Sequence, residues 1–156
     1  MSSMLLVAAL SLLAAAPVPA AETFGAPGQT AVLQVELRAG AGVLFNHRGP
    51  SRLRLSSPLG PPAELRVARG TPLASDPDNY DTTVPPLRFE IPVPADARPG
   101  DYALELTGEL YLCDEARHAC YRTRRSATAT LHVGSEGRDA PLVLELPGEA
   151  LRNHGL

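Results

Sequence analysis

Apolar and polar residues alternate with a period of two along much of the chain after residue 30. From Thr30 to Arg38, Leu33, Val35 and Leu37 alternate with Gln34, Glu36 and Arg38, the pattern of a strand with one buried face. A second apolar piece starts at Val43–Phe45 and runs into Asn46–Pro50, a turn-forming cluster. Leu53 and Leu55 then alternate with Arg52, Arg54 and Ser56, and Leu65 and Val67 with Glu64, Arg66 and Ala68. Leu87, Phe89, Ile91 and Val93 make the cleanest strand; Pro92 and Pro94 predict an edge position or an early end for it. Leu104, Leu106, Leu110 and Leu112 share one phase with Tyr102, opposite Glu105, Thr107, Glu109 and Tyr111, which puts Cys113 on the outward phase. Alternation resumes over Ser126–Val133, and a last strand is expected at Leu142–Leu146 before a polar tail.

Seven or eight short strands without helical periodicity predict an all-β fold, an antiparallel β-sandwich of immunoglobulin-like type. Sixteen prolines and thirteen glycines agree, and the absence of tryptophan excludes an antibody-type Cys–Trp–Cys core. Gly70–Pro86 interrupts the pattern as a long irregular stretch, polar through Asp76–Asp81 except for Tyr80. Such loops are either functional or simply solvated, here with the tyrosine folded back onto the sheet.

The N-terminus changes the setting. Leu5–Ala16 is apolar or small except for Ser11, too short to span a bilayer, and Pro17–Ala20 suits cleavage after Ala20. Residues 1–20 therefore read as a signal peptide, 21–134 as the sandwich domain and 135–156 as a C-terminal strand with its tail. Export, to a periplasm-like compartment, would let a disulfide persist. No cysteine follows the apolar run, so no lipoprotein anchor is indicated. The formal net charge of −3, with arginine as the sole basic residue type, gives no sign of a nucleic-acid partner.

The only two cysteines, Cys113 and Cys120, lie between two predicted strands. A disulfide closing so short a loop stabilises by roughly 2.5 kcal/mol, less than one tying distant strands. A hairpin-end pair also suits exchange, which needs an attackable sulfur with a resolving thiol nearby. Spacing leaves a structural hairpin bond and a redox pair both open. Cys113, Cys120 and His118 as metal ligands match no zinc spacing, and an oxidised pair could not ligate. His47, His132 and His154 read as turn, solvent-face and tail residues, and Arg122–Arg125 as a solvated strand end rather than an anion patch. No hydrolase or nucleotide-binding motif is present, and nothing in the sequence calls for a cofactor.

Three segments carry a resemblance. Gly42–Asn46 followed by Gly49-Pro50, Asp78-Asn79-Tyr80-Asp81 ahead of a strand, and Leu110–Cys113 with Cys120-Tyr121 together resemble the N-terminal periplasmic domain of DsbD-type thiol–disulfide interchange proteins, the disulfide bond corrector family. The likeness covers most of residues 30–133. It implies an immunoglobulin-like domain relaying electrons to thioredoxin-fold periplasmic proteins that repair disulfides or serve cytochrome c biogenesis. It further implies Cys113 and Cys120 as the redox pair, Cys120 as the attacking sulfur, and Tyr80 with Asp78 as a cap loop over them. The chain differs from the family in a longer inter-cysteine loop and in Arg122-Thr123-Arg124 where prolines usually stand. Neither a membrane-embedded nor a thioredoxin-like portion follows, so the expected electron donor is a separate membrane protein. The competing expectation is a non-catalytic exported binding or accessory module whose disulfide only pins a hairpin.

Overall fold

The computed structural model describes residues 20–148 and residue 151; the expected signal peptide and most of the tail lie outside the described residues. Eleven strands form two sheets packed face to face, an all-β sandwich. In chain order they are β1 (Glu22–Gly25), β2 (Thr30–Ala39), β3 (Val43–Asn46), β4 (Arg52–Ser57), β5 (Gly60–Arg66), β6 (Thr71–Pro72), β7 (Tyr80–Thr83), β8 (Leu87–Pro92), β9 (Gly100–Asp114), β10 (Ala119–Val133) and β11 (Leu142–Leu146). The smaller sheet has the order β11-β2-β8; the larger runs β1-β10-β9-β3-β7-β6, with β4 also on β9 and β5 on β4. Pairing is antiparallel except at two places, where β1 joins β10 and β11 joins β2 in parallel.

The alternating residues build the core. Leu33, Val35, Phe89 and Leu146 from the smaller sheet meet Leu53, Leu104, Leu106, Leu110, Leu112 and Leu131 from the larger, all nearly inaccessible to solvent. β8 is the edge strand its prolines predict, since a proline has no N–H to give a further neighbour. The last strand sits where alternation places it and belongs to the sandwich through its pairing with β2.

The sequence pattern misjudges two regions. Gly70–Pro86 is not wholly irregular: β7 pairs with β3 and β6 with β7, so the segment extends the larger sheet. Gly70 permits this approach, because a Cβ there would sit 1.9 Å from the Thr83 carbonyl oxygen. The second strand of the hairpin starts at Ala119 rather than Ser126, because polar Tyr121–Arg125 is carried along by continuous pairing with β9. β9 is the axis of the larger sheet. It pairs with β10 along its full length and, on its other side, with β4 along its middle and β3 at its end.

Candidate functional site at the hairpin tip

The β9–β10 register runs without a slip from Gly100↔Val133 to Asp114↔Ala119, and sets Cys113 directly opposite Cys120. The two are joined as a disulfide, with Cα atoms 3.9 Å apart. A single 3-10 turn, Glu115–Arg117, closes the hairpin. The Asp114 side chain caps it by accepting the Ala116 N–H at 3.1 Å, and His118 leaves it in the left-handed region at φ 51°. The turn is also tied to the β2–β3 connection, where the Glu115 N–H donates to the Gly42 carbonyl.

The two sulfurs have unequal surroundings. Leu112 points into the main core, so Cys113 takes the outward phase expected of it, yet it is only 5% exposed. Its cover comes from the outer face: Leu44 lies opposite it on β3, and Leu73 and Tyr80 come from the segment beyond. Leu44 and Cys113 are buried but stand outside the main core cluster, forming a small apolar patch of their own. Cys120 is exposed. A groove of about 300 Å³ runs past the pair, lined by Leu44, Leu73, Asp76, Tyr80, His118 and Cys120 among others.

Among the described residues, Asn46 supplies the one side-chain hydrogen bond to a sulfur of the pair. Its Oδ1 accepts the Arg48 N–H at 2.9 Å, which leaves Nδ2 to donate to Cys113 Sγ at 3.4 Å. The resemblance gave this residue only a place in a turn. Its register opposite Tyr80 explains the double role, because one strand pair positions both the donor and the ring.

The loop residues separate. Tyr80 lines the groove beside the disulfide, whereas Asp78 is exposed and absent from its lining, and Asp76 takes the inner position instead. The cause is a turn in which the Tyr80 N–H donates to the Asp76 carbonyl, setting those two on one side and Asp78 on the other. The Asp78 carbonyl accepts from Arg69, a structural contact at the loop's back.

Beneath the loop lies a residue whose role the sequence conceals. Asp81 is fully buried, opposite Phe45 on β3. Its carboxylate accepts from both Arg69 Nε and Nη2 and from the Gly70 N–H, and meets His47 Nε2 at 2.7 Å. Burial pushes this carboxyl up, but the Arg69 and Gly70 hydrogen bonds and His47 outweigh burial and hold it below its usual range. Arg69 also donates to the Pro77 carbonyl, so one guanidinium clamps the loop at both its crest and its base. His47 thus does more than occupy a turn, and His154 lies outside the described residues.

Charge around the pair now has a sign. Asp76, Asp114 and Glu115 line the groove with no arginine among the lining residues; Asp114 is partly offset by Arg117 at 3.8 Å, and Arg122 is occupied by Glu109 at 2.6 Å. With the sulfurs bonded to each other, neither is available as a thiolate ligand, and among the described residues no cluster of three histidine, cysteine or acidic side chains could hold a metal. What the arrangement can do chemically is open at the exposed sulfur while its partner stays sheltered. No protein-family model matches the chain, and no curated protein matches it.

Proposed function

We propose that the chain is a thiol–disulfide interchange domain of the kind it resembles, exported to the periplasm and working through Cys113 and Cys120. The unequal exposure of the two bonded sulfurs carries this reading. An incoming thiolate from a donor protein attacks Cys120 Sγ, the disulfide breaks, and Cys113 leaves as a thiolate that the Asn46 N–H can stabilise. The donor's second thiol then displaces Cys120, so the donor leaves oxidised and this pair is left as a dithiol. In the opposite step the Cys120 thiolate attacks an acceptor disulfide, and Cys113 resolves the mixed disulfide. The carboxylates Asp76 and Glu115 in the groove lining suit thioredoxin-fold partners that carry basic residues around their reactive cysteine. A membrane-embedded donor would recharge the domain.

Two features limit what the bond itself adds to stability. The disulfide joins residues already paired within a fifteen-residue strand register, and it closes a loop of only seven residues' separation. Its entropic gain is correspondingly small, roughly 2.5 kcal/mol.

Trapping tests the proposal. Cys113→Ala leaves an accessible Cys120 with no resolving thiol, so it should accumulate a mixed disulfide with a thioredoxin-fold protein; Cys120→Ala, keeping only the sheltered sulfur, should trap far less. Equal, negligible trapping by both variants, together with a pair that stays oxidised below about −300 mV in a glutathione-range titration, would assign the disulfide to an accessory module's scaffold.

A further inference from the structure

The outer face of the larger sheet carries a second groove, lined further along β9 and β10 and by β4 and β5, and sharing no lining residue with the first. Its volume is about 460 Å³, within the roughly 300–1,000 Å³ of small-molecule sites. Strand register arranges its side chains in two rows. One crosses Glu64, Arg54, Thr107 and Ser126; the next crosses Arg66, Arg52, Glu109 and Arg124. Arg122 extends the same face beside Tyr111.

The balance of charge in these rows is unfavourable for the protein alone. Four arginines share these two rows with two glutamates, on a chain whose formal net charge is −3. Arg52 lies directly opposite Arg66, and like charges opposed across a ladder destabilise it. Glu64 engages Arg52 at 3.3 Å and Glu109 engages Arg122. Glu109 sits below its usual range chiefly through the Arg122 hydrogen bond, with the nearby Arg52 and Arg124 charges adding to it. Arg54, Arg66 and Arg124 have no ion-pair or hydrogen-bonding partner among the described residues. The Arg52 Nε is buried with no acceptor, a state that native structures seldom leave uncompensated.

We propose that this face binds an oxyanion, a phosphate- or sulfate-bearing ligand larger than the bare ion. Arg52 and Arg54 from β4 and Arg124 from β10 present guanidinium forks, and Thr107 and Ser126 add hydroxyl donors beside them. Planar forks match such oxygens in pairs, which makes arginine the fitting basic residue for this site. Arg122–Arg125, a solvated strand end when read along the chain, becomes part of a site only because β4 and β5 bring their own arginines alongside.

Calorimetric titration of the intact chain with inorganic pyrophosphate tests this, with phosphatidylglycerol and phosphatidylcholine vesicles as parallel arms. Saturable pyrophosphate binding is expected, weakened as ionic strength rises to about 0.5 M. Replacing Arg54 and Arg124 together with glutamine should lower affinity at least about tenfold, while Arg38→Gln on the other sheet should not. Glu64→Gln releases Arg52 from its competing carboxylate and should tighten binding, which keeps the test informative if the double variant folds poorly. Vesicle binding that needs phosphatidylglycerol and is competed by pyrophosphate would assign the oxyanion to a lipid headgroup; pyrophosphate binding alone would assign it to a soluble ligand. Absence of binding in both arms, or binding indifferent to the Arg54 and Arg124 changes, overturns the proposal. Neither result bears on the disulfide, so the two readings fail independently.

Discussion

The β9–β10 hairpin is secured by different means at its two ends. At the open end, near Gly100 and Val133, β1 flanks β10, and Leu104, Leu131 and Val133 are inside the core. On the outer face there, His132 stacks on Phe24 with ring centroids 4.7 Å apart and reaches Asp101 at 2.7 Å and Glu22 at 3.1 Å. At the closed end the main core stops at Leu112, and β10 has only β9 beside it. There the disulfide and a clamped loop take over, sheltering a few outer-face side chains. Where apolar burial runs out, the strand ends are joined by a covalent bond and by charged contacts instead.

Leu131→Ala removes a side chain from the end that burial holds, and should cost about 2–5 kcal/mol in a urea unfolding curve. Reducing the disulfide should cost no more than about 2.5 kcal/mol by loop-closure arithmetic, because pairing through Leu112 and the Asp114 cap persist without it. If reduction proved the more damaging of the two, the tip would be holding the sandwich together and the contrast between the ends would collapse.

The same contrast explains what the sequence made legible. Alternation exposed β2, β4 and β8 because each keeps its apolar residues on one phase, and Pro92 marked an edge correctly. It also placed Cys113 on the outward phase. It could not show that Cys113 is covered, because the cover comes from Leu44 and Leu73, remote in the chain. β1 escaped notice because its buried member is Thr23, whose hydroxyl donates to the Val32 carbonyl at 2.9 Å. Asp81 was hidden for a related reason. In a run of Asp, Asn and Thr nothing local distinguishes a solvated carboxylate from one paired internally with Arg69 and His47. The position of Tyr80 beside the disulfide was hinted at by its being the one ring in a polar loop; that of its acidic neighbour was not, since a single turn decides whether Asp76 or Asp78 faces the groove.

Asp81→Ala strips the loop of its anchor and leaves the Gly70 N–H without an acceptor. The expected loss is about 1–3 kcal/mol, accompanied by faster alkylation of the reduced pair as the loop opens. Tyr80→Ala should speed alkylation with little change in stability, since it removes the ring and keeps the anchor. An unchanged alkylation rate in both variants would mean that the loop does not shield the sulfurs.

The two ends should also answer pH in opposite directions, the smallest effect expected and the most specific. Asp81 is held below its ordinary value of 3.8, so its stabilisation is present above that pH and fades as pH falls through the lowered folded value. His132 is raised above 6.5, chiefly by the hydrogen bond to Asp101, with Glu22 adding to it. Its contribution is therefore complete below pH 6.5 and lost as pH rises through the raised folded value. Acid loosens the loop at the tip; mild base loosens β1 at the open end. Exchange of the Glu22–Gly25 amides, corrected for intrinsic rates, should gain relative to that of the tip as pH climbs from about 6 to about 9, and His132→Gln should abolish that gain. Because His132 is partly exposed, solvent screening keeps the change modest. A gain that survives in the glutamine variant would place the titrating group elsewhere and leave the open end held by burial alone.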